Sequence, residues 1–132
     1  MAADARREQE KKDQEETLKN IAAELKAKEN AIVICKDKAT CSKVFALAQI
    51  YVQQNADQKI QVATDTIIET YNPTEGGKAA ITVIKIPRSG STEVVQIKPS
   101  CKDEKYFEKI CQLKRTAIYR GFKPFIEEAL SK

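Results

Sequence analysis

The chain has 132 residues, a net charge of +4 at pH 7 and no histidine or tryptophan, so its length suits one domain. Without histidine, Ser-His-Asp and Cys-His catalytic arrangements and any zinc site that needs imidazole are excluded. No run of about 18 apolar residues is present either, which excludes a membrane-spanning helix within this sequence.

The first thirty residues are half charged but nearly neutral, with seven basic and eight acidic residues. From Ala2 to Thr17 there is no large apolar residue, so this part cannot be buried against a core. Its residues are strong helix formers and include Glu–Lys pairs at i,i+4. We therefore predict that residues 1–29 are a charged helical stalk or linker, and that residues 30–132 form the compact domain.

A short apolar stripe follows in the second half of this helix, at Leu18, Ile21, Ala22 and Leu25. Helical spacing of this kind predicts a helix that docks on the body from about residue 17. The stripe spans only about two heptads, which is short for a self-sufficient coiled coil. A weak homodimer through Leu18, Ile21 and Leu25 stays open as an alternative.

The body begins with an apolar run of strand type over residues 31–35, followed by a helix over residues 40–54 with one broad apolar face. A long β-branched strand is predicted over residues 59–71. Turn signals at residues 72–77 and 87–91 then separate it from strands over 78–86 and 92–98.

A helix is predicted over residues 103–119, with Gly121 as its C-cap, and a short final helix follows over residues 124–130. Its predicted inner face consists of Tyr106, Phe107, Ile110, Leu113, Ala117 and Ile118. The order of elements predicts an α+β fold: a short strand, a helix, a three-stranded antiparallel meander, and a C-terminal helix packed on one face of the sheet.

Four cysteines form two closely spaced pairs, and each pair joins a predicted strand end to the start of the next helix. Cys35 and Cys41 have five residues between them, and Cys101 and Cys111 have nine. Loops of this size can be closed by a disulfide, and each bridge contributes about 2–3 kcal/mol. We predict two local disulfides, Cys35–Cys41 and Cys101–Cys111, and hence an oxidising compartment.

Three other states of the cysteines stay open at this point. A bridge between the two pairs requires the strand ends to be neighbours. A zinc site of four thiolates is disfavoured, because such sites use C-x2–4-C spacings. A nucleophilic thiol at Cys41, near a helix N-terminus, lacks a general base of the usual kind.

No catalytic residue, metal site, cofactor or small-molecule substrate is predicted from the rest of the chain. Asp65 and Glu69 lie on one face of the predicted long strand but about 13 Å apart, whereas paired glycosidase carboxylates lie about 5–9.5 Å apart. Gly76 and Gly77 lack the spacing of a phosphate-binding loop and are assigned to a turn.

The excess positive charge lies in the C-terminal quarter, where residues 98–123 hold eight basic and three acidic residues. The predicted helix there places basic side chains on an outward row, which is a candidate surface for an anionic partner. Its residues are Lys102, Lys105, Lys109, Lys114 and Arg115. The aromatic residues of this helix are assigned to the core, so nucleic acid is not the expected partner.

A charged stalk, two disulfide-sized cysteine pairs and a small α+β body together resemble the layout of small periplasmic or lipid-anchored lipoproteins of Gram-negative bacteria. The resemblance covers the layout of the chain and no diagnostic motif, so it transfers no functional residue. It implies the periplasm, or an outer-membrane anchor facing the periplasm. Since charged sequence follows Met1-Ala2-Ala3 directly, we expect that an export segment has been removed and that Met1 is an added start.

These observations predict a non-enzymatic accessory or interaction protein of the cell envelope, whose partner is an envelope protein or an anionic surface. The alternative is an intracellular binding module with reduced cysteines. It would dimerise through the N-terminal helix and bind an acidic partner or nucleic acid through the basic C-terminal helix.

Overall fold

The computed structural model describes residues 2–132. Three helices and five strands follow one another along the chain: α1 (Ala2–Glu29), β1 (Val33–Cys35), α2 (Lys38–Asn55), β2 (Ile60–Ala63), β3 (Ile67–Thr70), β4 (Ala79–Pro87), β5 (Glu93–Cys101) and α3 (Glu108–Leu130). The α+β layout predicted from the sequence is confirmed.

All five strands belong to one antiparallel sheet in the order β1-β5-β4-β3-β2. The long central pair β4–β5 runs from Ala79 opposite Cys101 to Pro87 opposite Glu93. Strand side chains alternate between the two faces, and one face carries the core residues of the two long strands, among them Ile81, Val83 and Val95. The other face is open to solvent at Ile34, which is 63% exposed, although Ala80 and Val94 on the same face are buried.

The helices cover the buried face of the sheet and share one core with it. Residues of all three helices pack there with strand residues, among them Ala27, Val44, Val83, Val95 and Phe122. Helix α1 reaches this core only through its C-terminal end, because residues 3–19 are exposed. Within residues 2–132, no helix is apolar and long enough to cross a bilayer.

The predicted long strand over residues 59–71 is wrong, because the chain reverses within it and forms the hairpin β2–β3. The Thr64 hydroxyl accepts hydrogen bonds from the backbone N–H groups of Thr66 and Ile67, at 3.2 and 3.1 Å. Such a side-chain-to-backbone turn competes with continued strand. It converts a meander of three strands into one of four.

The predicted break after Tyr119 is also wrong, because α3 continues through Gly121 and Pro124 to Leu130. Phe122 and Ile126 are completely buried on either side of Pro124. Packing of these two side chains stabilises the helix and outweighs the local helix-breaking tendency of proline.

The predicted inner face of α3 is largely wrong. Ile110 and Leu113 are 50% and 51% exposed, and Tyr106 and Phe107 precede the helix. The buried residues are Cys111, Gln112, Thr116, Ile118, Tyr119, Phe122 and Ile126. Because Cys111 is bonded to Cys101 on β5, the first turn is rotated so that this cysteine faces inward and the apolar stripe faces solvent.

Candidate functional site

Both predicted disulfides are present, with Cα–Cα distances of 5.2 Å for Cys35–Cys41 and 5.5 Å for Cys101–Cys111. These distances lie in the usual range for protein disulfides. Each bridge joins a strand end to the helix that follows it. No cysteine is free, so neither a bridge between the pairs, nor a thiolate zinc site, nor a nucleophilic Cys41 is formed.

The loop closed by the first disulfide also contains the N-cap of α2. The Asp37 carboxylate accepts a hydrogen bond from the Thr40 backbone N–H at 2.8 Å and another from the Thr40 hydroxyl at 2.8 Å. These hydrogen bonds lower the pKa of Asp37 below its ordinary value. The arrangement starts helix α2 directly beside the bridge.

A second polar cluster joins three elements through Asp57, which follows α2. Its carboxylate accepts hydrogen bonds from the Ala79 N–H at 2.7 Å and from the Lys114 ammonium at 3.0 Å. Lys114 also donates to the Gly77 carbonyl at 2.8 Å. Partial burial would raise the pKa of Asp57, but these hydrogen bonds lower it on balance. The cluster uses Lys114 to hold α3 against the sheet.

Two further residues of the predicted anionic-partner surface, Lys102 and Lys109, lie near carboxylates. Lys109 pairs with Glu16 at 2.9 Å, and Lys102 lies 3.8 Å from Asp103. No carboxylate of residues 2–132 lies within ion-pair distance of Lys105. Most of these positive charges are therefore compensated by carboxylates of the chain itself. Binding of an anionic partner by this set stays a prediction.

Arg115, the last member of the set, connects α1 to α3. Its guanidinium lies 2.7 Å from a Glu24 oxygen and 2.8 Å from a Glu104 oxygen. The hydrogen bond with Glu24 is the main reason that the pKa of Arg115 is raised. Glu16 pairs with Lys109, and the later residue Glu24 pairs with the later residue Arg115. The pairs therefore follow the same order along both helices, so α1 and α3 run parallel.

Asp65 and Glu69 do not share a strand face as predicted, because Asp65 lies in the turn before β3 and only Glu69 lies on a strand. Across residues 2–132 there is no group of three or more cysteines, aspartates or glutamates placed to hold a metal ion. Gly77 supplies a turn with φ of 78°, in agreement with its predicted role.

One concave surface was missed by the sequence analysis. A groove of about 560 Å³ lies between the C-terminal halves of α1 and α3. It is lined by Ala23, Lys26, Ala27, Asn30, Arg120, Lys123, Pro124 and Glu127. The signal that could have revealed it is the spacing of three and four residues among the lining positions of α3, Arg120, Lys123 and Glu127.

The stripe proposed for a weak homodimer faces away from α3. Leu18 and Leu25 are 67% and 56% exposed, and Ile21 is also exposed. A homodimer through these three residues stays a prediction.

Comparison with protein-family models, with curated proteins and with solved structures finds no match to this chain.

Proposed function

We propose that this protein is a non-enzymatic accessory or interaction protein of the bacterial cell envelope, held together by two local disulfides. The observation that carries the proposal is that all four cysteines are consumed in bridges between a strand and the following helix. Such bridges persist in oxidising compartments and are rare in the cytosol. The periplasm, with or without an outer-membrane anchor, is the proposed location.

A stabilising role for the bridges is supported by their surroundings. Cys35, Cys41 and Cys111 are buried, and the bridges connect elements of one core. Structural disulfides of this kind resist reduction, whereas catalytic or regulatory ones are exposed or strained. The proposal therefore assigns the four cysteines to stability and places function on the surface.

The test is the intact mass of denatured protein, purified from the periplasm of a Gram-negative host and alkylated before or after reduction. We expect no alkylated thiol before reduction and four after it. The variant Cys35→Ala should expose one thiol before reduction, and peptide mapping should place it at Cys41. Four free thiols in the unreduced protein would contradict the proposal and favour the intracellular module with reduced cysteines.

A further inference from the structure

The solvent side of α3 carries a row of residues that the fold leaves uncovered. This row, called the outer stripe here, consists of Ile110, Leu113, Ala117, Arg120 and Pro124. Its alternating spacing of three and four residues is that of a helix seam which packs against another helix. Ile110 and Leu113 are about half exposed, so the upper part of the stripe presents apolar surface to solvent.

The groove between α1 and α3 continues this stripe at its C-terminal end. Arg120 and Pro124 belong to both, and the small residues Ala23 and Ala27 on α1 give the groove its depth. Two parallel helices with small residues between them allow a third helix to approach closely. The stripe and the groove together form one elongated surface.

The charged residues of this surface lie in the groove, where three cations, Lys26, Arg120 and Lys123, face one carboxylate, Glu127. Between Glu108 and Glu127, α3 carries five basic residues and no acidic one. Lys109, Lys114 and Arg115 are paired with carboxylates of the chain. By contrast, Arg120 and, across the groove, Lys26 have no carboxylate within ion-pair distance in the part of the chain that the structure describes.

Lys123 adds a third cation to the groove, balanced only by an exposed contact with Glu127 at 3.8 Å. Three cations that share one groove repel each other, and an exposed pair at this distance offsets little of that repulsion. An anionic side chain entering the groove would remove the repulsion. The apolar part of the outer stripe, which lies N-terminal to the groove on α3, favours a ligand that is amphipathic as well as acidic.

We propose that the outer stripe and the groove bind an amphipathic helix of another protein, with apolar residues on its seam and Asp or Glu on its flanks. This inference rests on the proposed function and names the class of partner. A second copy of this chain fits less well, because it would bring the same cations, Lys26, Arg120 and Lys123, to the interface and supply few carboxylates to compensate them.

The probe is a synthetic helical peptide of three heptads with Leu at a and d and Glu at e and g, titrated into ¹⁵N-labelled oxidised protein. Its matched counterpart carries Lys at e and g. We expect the Glu peptide to shift the amide signals of residues 110–124 and 23–30, and to bind at least about tenfold more tightly than the Lys peptide. Binding should weaken as salt is raised.

Two variants locate the site. Leu113→Glu places a charge at the centre of the stripe and is expected to weaken binding of the Glu peptide at least about tenfold. The matched control Leu25→Glu changes an equally exposed leucine on the far side of α1 and is expected to change binding less than about twofold. Both positions are exposed, so both variants should keep the fold, which the same spectra verify.

Several outcomes would overturn the inference. They are the absence of shifts at millimolar peptide, equal binding of the two peptides, and shifts centred on Leu25 or on the open sheet face. Self-association that Leu113→Glu abolishes would assign the surface to a second copy. Binding to phosphatidylglycerol vesicles that the same variant abolishes, without peptide binding, would assign it to a membrane.

Thiol alkylation of the same sample separates this inference from the proposed function. Free thiols in that sample would contradict the proposed function, whether or not the peptide binds.

Discussion

Tyr51 shows how one side chain connects two helices. Its hydroxyl donates a hydrogen bond to the Ile118 carbonyl of α3 at 2.6 Å, and its ring packs with Phe122 and Phe125. Burial raises the pKa of Tyr51 to about 12. Because only the neutral phenol is tolerated at this position, the contact between α2 and α3 depends on pH in the alkaline range.

Tyr51→Phe tests this dependence. A phenol whose pKa is raised on folding stabilises the protein fully below the unfolded-state pKa of about 10. That stability is lost as the pH rises through the folded-state value of about 12. The natural protein should therefore lose on the order of 2 kcal/mol of unfolding free energy between these values, and Tyr51→Phe should lose much less.

Urea unfolding at a series of pH values measures this difference. Below pH 9, Tyr51→Phe should be less stable by about 1 kcal/mol, because the buried Ile118 carbonyl loses the hydrogen bond from the hydroxyl. Tyr71→Phe is the matched control, since Tyr71 is exposed. If the alkaline loss were the same in all three proteins, the raised pKa of Tyr51 would not be its cause.

At the scale of the element, α3 depends on a glycine for packing rather than for a turn. A Cβ on Gly121 would lie 2.7 Å from the Tyr51 hydroxyl oxygen. The glycine therefore makes room for the hydrogen bond between Tyr51 and α3. Helix propensity alone would favour alanine at this position by up to about 1 kcal/mol, so packing and propensity oppose each other.

A double-mutant cycle separates the two effects. Gly121→Ala alone is expected to destabilise the protein by about 1–3 kcal/mol, because the rigid phenol ring must shift. In the Tyr51→Phe background, the nearest atom is the ring carbon at 3.6 Å, an ordinary contact. There, Gly121→Ala should be neutral or stabilising. Equal destabilisation in both backgrounds would show that the hydroxyl is not what excludes the methyl group.

At the scale of the whole molecule, α1 is divided into an exposed N-terminal half and a C-terminal half that packs on the body. Its 28 residues extend over about 42 Å. Residues 3–19 are exposed, whereas Ala27 is buried and Glu24 is paired with Arg115. The first half therefore gains no stability from burial, and apart from the exposed pair of Glu16 with Lys109 its helix depends on local interactions.

Hydrogen exchange should report this division as a gradient along α1. Amides of residues 6–12 are expected to exchange at least about a hundredfold faster than those of residues 22–28. Glu24→Gln, which weakens the pair with Arg115, should accelerate exchange in residues 22–28 and leave α2 unchanged. Uniform protection along α1 would contradict the gradient.

The sequence by itself determined the features that depend on local spacing and chemistry. The cysteine spacings predicted both bridges, and the apolar periodicity of residues 40–54 predicted α2 with its buried face. The turn signals after Tyr71 and after Ile86 separated β4 from its neighbours. These features are local because the interacting residues lie within about ten positions of each other, so few alternative arrangements compete.

Only the tertiary structure decided which side of α3 faces inward and where that helix ends. The apolar spacing of Ile110 and Leu113 is typical of a core face, yet the bond from Cys111 to β5 rotates that face toward solvent. Gly121 and Pro124 are typical of a helix end, yet burial of Phe122 and Ile126 continues the helix. In both places long-range packing outweighs local preference, because core burial contributes more free energy than helix propensity.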